Sequence, residues 1–127
     1  MIDKKVSESS EPDFRFLKKY RLKLQVDFDR VYDKGLVASD STLVAHAIRT
    51  ELDYTRIGLS IAKKVGSSPV RNRWKRWMRE AFRVNRSQLP VSLDVVIRPR
   101  RGAEGSFHAV EKSMLKLFQD LERKLPK

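Results

Sequence analysis

Apolar and polar positions along the chain repeat with two different periods. Residues 26–34 carry apolar side chains at helical spacing and are followed by Gly35, so they predict a short helix. Residues 42–49 alternate between two sides, and residues 56–62 repeat this alternation. Both segments are therefore predicted to be strands, and we interpret them as a hairpin.

The second half of the chain predicts a long helix, a strand and a closing helix. Ser68 can act as the N-cap of a helix with Pro69 at its first position, and this helix should run to about Asn85. Residues 93–98 predict a third strand, and one apolar stripe at 3.6-residue spacing predicts an amphipathic helix over residues 106–125. The order α-β-β-α-β-α predicts an α+β sandwich in which helices pack on a small sheet.

The N-terminal segment differs from the rest of the chain. Residues 1–13 are polar, acidic and rich in serine, so we predict that residues 1–19 form a flexible arm and that residues 20–127 form a single domain. The chain lacks cysteine, a signal-peptide core and any apolar run near the roughly 20 residues that a membrane span requires. We therefore expect a cytoplasmic protein.

Positive charge is concentrated in one quarter of the chain. The sequence has 28 Lys and Arg against 16 Asp and Glu, for a net charge of +12. Residues 70–101 contain ten basic and two acidic residues and so carry +8 of this charge. A field of one sign suits a polyanion, with nucleic acid the first choice and an anionic membrane surface the second.

The predicted helix over residues 68–85 separates into two faces. One face is largely apolar and contains Trp74, Trp77, Met78, Ala81 and Asn85, with Phe82 at its margin. The opposite face is basic and contains Asn72, Lys75, Arg76, Arg79, Arg83 and Arg86. A solvated helix face normally mixes charges, whereas Glu80 is the one acid among seven bases from Arg71 to Arg86. We therefore predict that this face binds nucleic acid and that the tryptophans are core anchors.

The basic segment follows a defined spacing, Lys63-Lys64-x-Gly66 and then Arg71-Asn72-Arg73-x-Lys75-Arg76-x-x-Arg79-Glu80. These residues resemble the signature of the protein subunit of bacterial ribonuclease P. The likeness continues upstream through Arg21-Leu22, Asp27-Phe28, Val31-Tyr32 and Gly35. Downstream it includes Ala81-Phe82-Arg83, Asp94-Val95-Val96 and the last helix, so it covers about residues 20–122 in collinear order.

The resemblance implies a non-catalytic subunit of an RNA-based endonuclease that removes the 5′ leader of precursor tRNA. The implied partners are the catalytic RNA and precursor tRNA, with no membrane or DNA partner. By motif, the implied contacts to the RNA subunit are Lys63, Lys64, Arg71, Asn72, Arg73, Lys75, Arg76, Arg79 and Arg83. The implied leader cleft consists of Phe28, Tyr32, Val44 and His46. The resemblance also implies a left-handed β-α-β crossover, which general handedness rules would not predict.

Two positions depart from the family pattern. Ser68-Pro69 stands where a small apolar pair is usual, and His46 stands where an aromatic residue such as Tyr is common. His46 can still stack and form hydrogen bonds. Phe28 has the alternative role of an ordinary core residue, and the residues themselves leave both roles open.

The sequence predicts no catalytic or metal-binding residue in the protein. Its two histidines are far apart and its acids are scattered, so no cofactor is expected on the protein alone, whereas Mg²⁺ is expected in the RNA-containing holoenzyme. Two alternative functions stay open. A ribosomal or general RNA-binding module would show no preference for a 5′ leader, and a stand-alone nuclease would need a cluster of metal ligands.

Overall fold

The computed structural model describes residue 16 and residues 18–127. Three helices and four strands make up the fold: α1 (Gln25–Lys34), β1 (Leu36–Ser39), β2 (Leu43–Arg49), β3 (Arg56–Leu59), α2 (Ser68–Asn85), β4 (Leu93–Pro99) and α3 (Phe107–Lys124). Short 3-10 turns cover Lys18–Tyr20, Lys63–Val65 and Arg86–Gln88. The predicted α+β class, with helices packed on a small sheet, is confirmed.

The sheet has the strand order β1-β2-β4-β3. Strand β2 is antiparallel to both β1 and β4, whereas β3 runs parallel to β4. Parallel neighbours need a crossover connection, and here it passes through α2. The left-handed β-α-β crossover that the resemblance implies corresponds to this β3-α2-β4 unit.

The predicted hairpin between the segments at 42–49 and 56–62 is wrong. Strand β2 forms its hairpin with β1, which the sequence analysis missed. Strand β1 has four residues at the sheet edge, and Ala38 is its one buried residue, so it lacks a recognisable alternation of apolar and polar positions. Strand β3 also ends earlier than predicted, at Leu59, because the chain turns into the 3-10 helix that carries the lysine pair.

Hydrophobic residues form two cores on the two faces of the sheet. The larger core lies between the sheet and helices α2 and α3, and includes Met78, Phe82, Leu117 and Phe118. On the other face, α1 packs over a smaller core of Leu22, Val31 and Val96, with Phe28 and Ile48 half-buried beside it. Helix α1 therefore packs on this face of the sheet through Val31 and Phe28.

Helices α2 and α3 begin differently. The predicted cap by Ser68 is wrong, because Ser67 occupies the N-cap position without a side-chain hydrogen bond. The Oγ of Ser68 instead accepts a hydrogen bond from Nη2 of Arg71 at 3.0 Å. In α3, the Oγ of Ser106 accepts from the backbone N–H of Ala109 at 3.1 Å, which satisfies one of the free amides of the first turn.

The N-terminal segment contacts the domain before the predicted boundary at residue 20. The ring of Phe16 packs edge-on against Phe82 with 5.7 Å between centroids, and Tyr20 approaches the same ring at 6.0 Å. This cover explains why Phe82 is fully buried although the helical projection placed it at a margin. Residues 1–15 and residue 17 of the predicted arm lie outside the described residues. Within residues 16 and 18–127, no helix is long and apolar enough to cross a membrane.

Candidate nucleic-acid interface

The tryptophans of α2 fix which face of the helix points outward. Trp74 is 4% exposed, whereas Trp77 is half-buried, and their rings pack edge to face with centroids 5.4 Å apart. Both rings lie against Gly105, where a Cβ atom would come within 2.6 Å of each. The predicted anchoring role is thus confirmed, and the opposite face of α2 is turned away from the core.

The outward face of α2 forms one wall of a groove of about 400 Å³, the basic groove. Five of the predicted RNA contacts line it together with Phe16 and Arg21: Asn72, Lys75, Arg76, Arg79 and Arg83. Arg71 and Arg73 do not line this groove, because their helical positions place them on its two flanks. The structure therefore brings together most of the motif and adds Arg21, to which the sequence analysis gave no role in binding.

Like charges are crowded in the basic groove. Its carboxylate, Glu80, pairs with Arg83 at 2.6 Å between Oε1 and Nη2. The hydrogen bond in this pair raises the pKa of Arg83 and lowers the pKa of Glu80. Burial and the positive charge of Arg21 both lower the pKa of Arg79. An anion bound in the groove would therefore reduce the repulsion between Arg21 and Arg79.

A second groove, of about 500 Å³, lies near the start of α2 and is called the arginine groove. Lys64 lines it together with Arg98, Arg100 and Arg101 from the end of β4 and the following loop. Lys63 is exposed in the adjacent 3-10 turn. These three arginines were not among the predicted site residues, although they surround Pro99 within the most basic block of the chain.

The four predicted cleft residues lie along α1 and the sheet face beneath it. One row across the sheet runs from Val37 through His46 and Val96 to Gly58. Tyr32 contacts His46 at one end of α1, with ring centroids 4.8 Å apart. One turn earlier, Phe28 lies over Gly58, where a Cβ atom would be 2.6 Å from its Cζ.

The four cleft residues differ in how far they are exposed to solvent. Tyr32 is 40% exposed and His46 is half-buried, whereas Val44 is 8% exposed and contributes mainly to the floor. Phe28 is half-buried, so it packs on the smaller core and still presents part of its ring. Tyr32, His46 and Val44 form one group, while Phe28 lies towards β3.

His46 is held neutral in the cleft. Burial, reinforced by the positive charge of Arg98, lowers the pKa of His46 below its usual value. Its Nε2 atom is buried and has no hydrogen-bond partner among the described residues. The ring therefore acts as an uncharged aromatic surface near neutral pH, in contact with Tyr32.

We expect His46 to make the domain less stable as the pH falls. Below about pH 6.5 this histidine is protonated in the unfolded chain, whereas in the folded protein it stays neutral because its pKa is lowered. The free energy of unfolding therefore decreases as the pH falls from about 6.5 to the pKa of the folded state. Urea unfolding between pH 7.5 and 5.5 measures the slope, which is at most about 1.4 kcal/mol per pH unit for one proton. A His46→Gln variant should reduce this slope. An identical slope in wild type and His46→Gln would contradict the prediction.

Comparisons with known proteins identify the family. A family model described as Ribonuclease P matches residues 16–122. The Ribonuclease P protein component of Alkaliphilus metalliredigens is 35% identical over 103 residues, which cover 80% of this chain and 93% of that protein.

Solved structures give the same result. The RNase P protein of Thermotoga maritima matches with a TM-score of 0.73 at 30% identity, covering 79% of this chain and 96% of that one. A Staphylococcus aureus RNase P protein, described as a mutant with defective mRNA degradation activity, matches with a TM-score of 0.75 at 29% identity, covering 83% and 90%. The family match includes both grooves and the cleft, and the chain belongs to the family of bacterial ribonuclease P protein components.

Proposed function

We propose that the protein binds the catalytic RNA of ribonuclease P and the 5′ leader of precursor tRNA, and thereby promotes removal of the leader. The observation that carries this proposal is the division of α2, which buries Trp74 and Met78 on one side and presents the basic groove on the other. Arginine guanidinium groups can donate two hydrogen bonds to one phosphate, so this groove suits an RNA backbone. The arginine groove extends the basic surface beyond the start of the helix.

In this proposal the chemistry belongs to the RNA subunit. Mg²⁺ bound by RNA phosphates would supply the activated water for phosphodiester hydrolysis. The protein contributes binding energy and position: its cations offset the repulsion between two polyanions, and its cleft orients the single-stranded leader near the scissile bond. The protein alone is accordingly expected to leave precursor tRNA intact.

The cleft suits single-stranded RNA in its chemistry. Unstacked nucleotides bind to proteins through stacking on aromatic rings, which tolerates every base because each has a π-face. Tyr32 and His46 provide such surfaces in contact with each other, and Phe28 exposes part of its ring one helical turn away. Arg98 is exposed opposite Val44 and can contact a backbone phosphate. Mature tRNA has no leader, so the cleft is expected to distinguish precursor from product.

Replacing Phe28 and Tyr32 by alanine should weaken holoenzyme binding of precursor tRNA and leave mature tRNA almost unaffected. Loss of stacking costs about 1–3 kcal/mol per base, which sets the scale of the effect. Equilibrium binding of both tRNAs to wild-type and variant holoenzymes measures it. Val26→Ala is the matched control, because Val26 is on the same helix and 59% exposed. Equal losses for both tRNAs, in a variant that folds and assembles, would reject a leader-specific cleft.

A second candidate function is RNA degradation by the protein itself. The S. aureus relative described as defective in mRNA degradation favours testing it, because that description refers to an activity of a related protein. The test is incubation of rigorously RNA-free protein with an mRNA and with a precursor tRNA. Under our proposal neither RNA is cut, whereas cleavage of the mRNA by the RNA-free protein would support the second function.

A further inference from the structure

Arg21 is held beside α2 by a segment that runs along the outer edge of the sheet. Its backbone forms a parallel bridge with Ile57 of β3, and the N–H of Leu22 donates to the carbonyl oxygen of Ile57 at 2.8 Å. Leu22 is buried in the smaller core, which fixes the segment in place. The exposed side chain of Arg21 therefore starts from a rigid position between α1 and α2.

Arg21 lines two grooves that meet. It lines the basic groove, and it also lines a neighbouring groove of about 230 Å³, the connecting groove, which extends to Phe28. Lys75 and Arg79 of α2 line both grooves as well. The surface predicted to bind the RNA subunit and the cleft predicted to bind the leader are thus joined through three cations.

These cations have no carboxylate to neutralise them within the described part of the chain. None of Arg21, Lys75 and Arg79 forms an ion pair with a described residue, and the nearby carboxylate of Glu80 forms its ion pair with Arg83. The guanidinium of Arg21 lies over the ring of Phe16, with its carbon 5.0 Å from the ring centroid. That contact orients the positive group without cancelling its charge.

We propose that Arg21, Lys75 and Arg79 form a junction that binds a phosphodiester of a single RNA strand passing between the basic groove and the cleft. The inference rests on the proposed function and adds a site to it. The junction is open towards both grooves, which suits a continuous strand better than a small anion. The phosphate can belong to the RNA subunit or to the leader, and the chemistry of recognition is the same for both.

The test replaces Arg21 by glutamine in the full chain and compares it with Lys112→Gln, which removes an exposed cation from α3. Binding is measured as a function of salt for four ligands. A single-stranded oligouridylate and the ribonuclease P RNA are bound to the protein, and precursor and mature tRNA are bound to the holoenzyme. Loss of one phosphate contact should lower the slope of log affinity against log salt by roughly 0.7 for the oligonucleotide. We expect an accompanying loss of affinity of about tenfold at low salt, with little change for Lys112→Gln. Unfolding curves confirm that both variants fold.

The four ligands separate the possible results. A loss confined to the RNA subunit assigns the phosphate to that RNA, and a loss confined to precursor tRNA assigns it to the leader. An Arg21→Gln variant that keeps the wild-type salt slope for all ligands overturns the junction, as does an equal loss in Lys112→Gln. If the wild-type protein fails to bind ribonuclease P RNA, the proposed function fails, while the oligonucleotide slope still decides whether the junction binds phosphate.

Discussion

Replacing Arg76 and Arg79 together by alanine is expected to weaken binding of ribonuclease P RNA by about a hundredfold or more, without unfolding the domain. Both side chains are exposed in the basic groove, so their removal leaves no buried cavity. Hydrogen bonds to charged groups contribute roughly 1.5–3 kcal/mol each, and two lost contacts therefore exceed a hundredfold in affinity. The slope of log affinity against log salt should fall by roughly 0.7 to 0.9 for each contact.

The matched control removes two cations from another surface. Lys112 and Lys124 are exposed on α3, and their double replacement by alanine changes the net charge by the same amount. If long-range charge alone governed binding, the two double variants would lose similar affinity. A specific interface predicts a large loss for the α2 variant only. An unchanged salt slope in a folded Arg76→Ala/Arg79→Ala variant would contradict the assignment of this face to RNA.

Trp74→Ala is expected to act on the fold and to cost about 3–5 kcal/mol of stability. Its ring is almost fully buried, packs on Trp77 and lies against Gly105, so its loss leaves a cavity between α2 and the start of α3. Small domains are stable by only about 5–15 kcal/mol, so this loss is a large fraction of the total. Urea or thermal unfolding measures it.

Trp77→Ala provides the comparison for this prediction. The sequence alone assigned both tryptophans to the core with equal weight, but Trp77 is half-buried, so its replacement should cost less than that of Trp74. The part of the Trp77→Ala population that folds should bind RNA as the wild type does, because Trp77 lines neither the basic groove nor the arginine groove. A stable variant with poor RNA binding would mean that the two faces of α2 have been interchanged.

Local patterns predicted the three helices and two of the four strands well, because these elements carry strong periodicity. Helices α1 and α2 were predicted within one residue, and β4 was predicted one residue short. Strand β1 could not be found in this way because a short edge strand with one buried side chain has no clear alternation. The pairing of β3 with β4 depends on the α2 crossover, which is a long-range property that no local pattern contains.

The sequence predicted most of the residues of the candidate site, but not how residues from different elements come together in it. Helical spacing correctly gathered Lys75, Arg76 and Arg79 on one face, because the geometry of a helix is regular. Arg21 joins that face through the segment along β3, and Arg98 joins Lys64 through the sheet register. Both contacts link residues more than thirty positions apart, so the charge pattern alone could not reveal them.

We propose that this protein assists an RNA catalyst and binds its substrate without cutting it. Cleavage of a precursor tRNA at moderate Mg²⁺ and near-physiological salt tests it directly, with RNA subunit alone, RNA-free protein alone and both together in one assay. We predict correct release of the 5′ leader with slow turnover by the RNA alone, none by the protein alone, and efficient turnover by the two together. Cleavage by the RNA-free protein, or a holoenzyme no faster than its RNA subunit alone, would contradict this proposal.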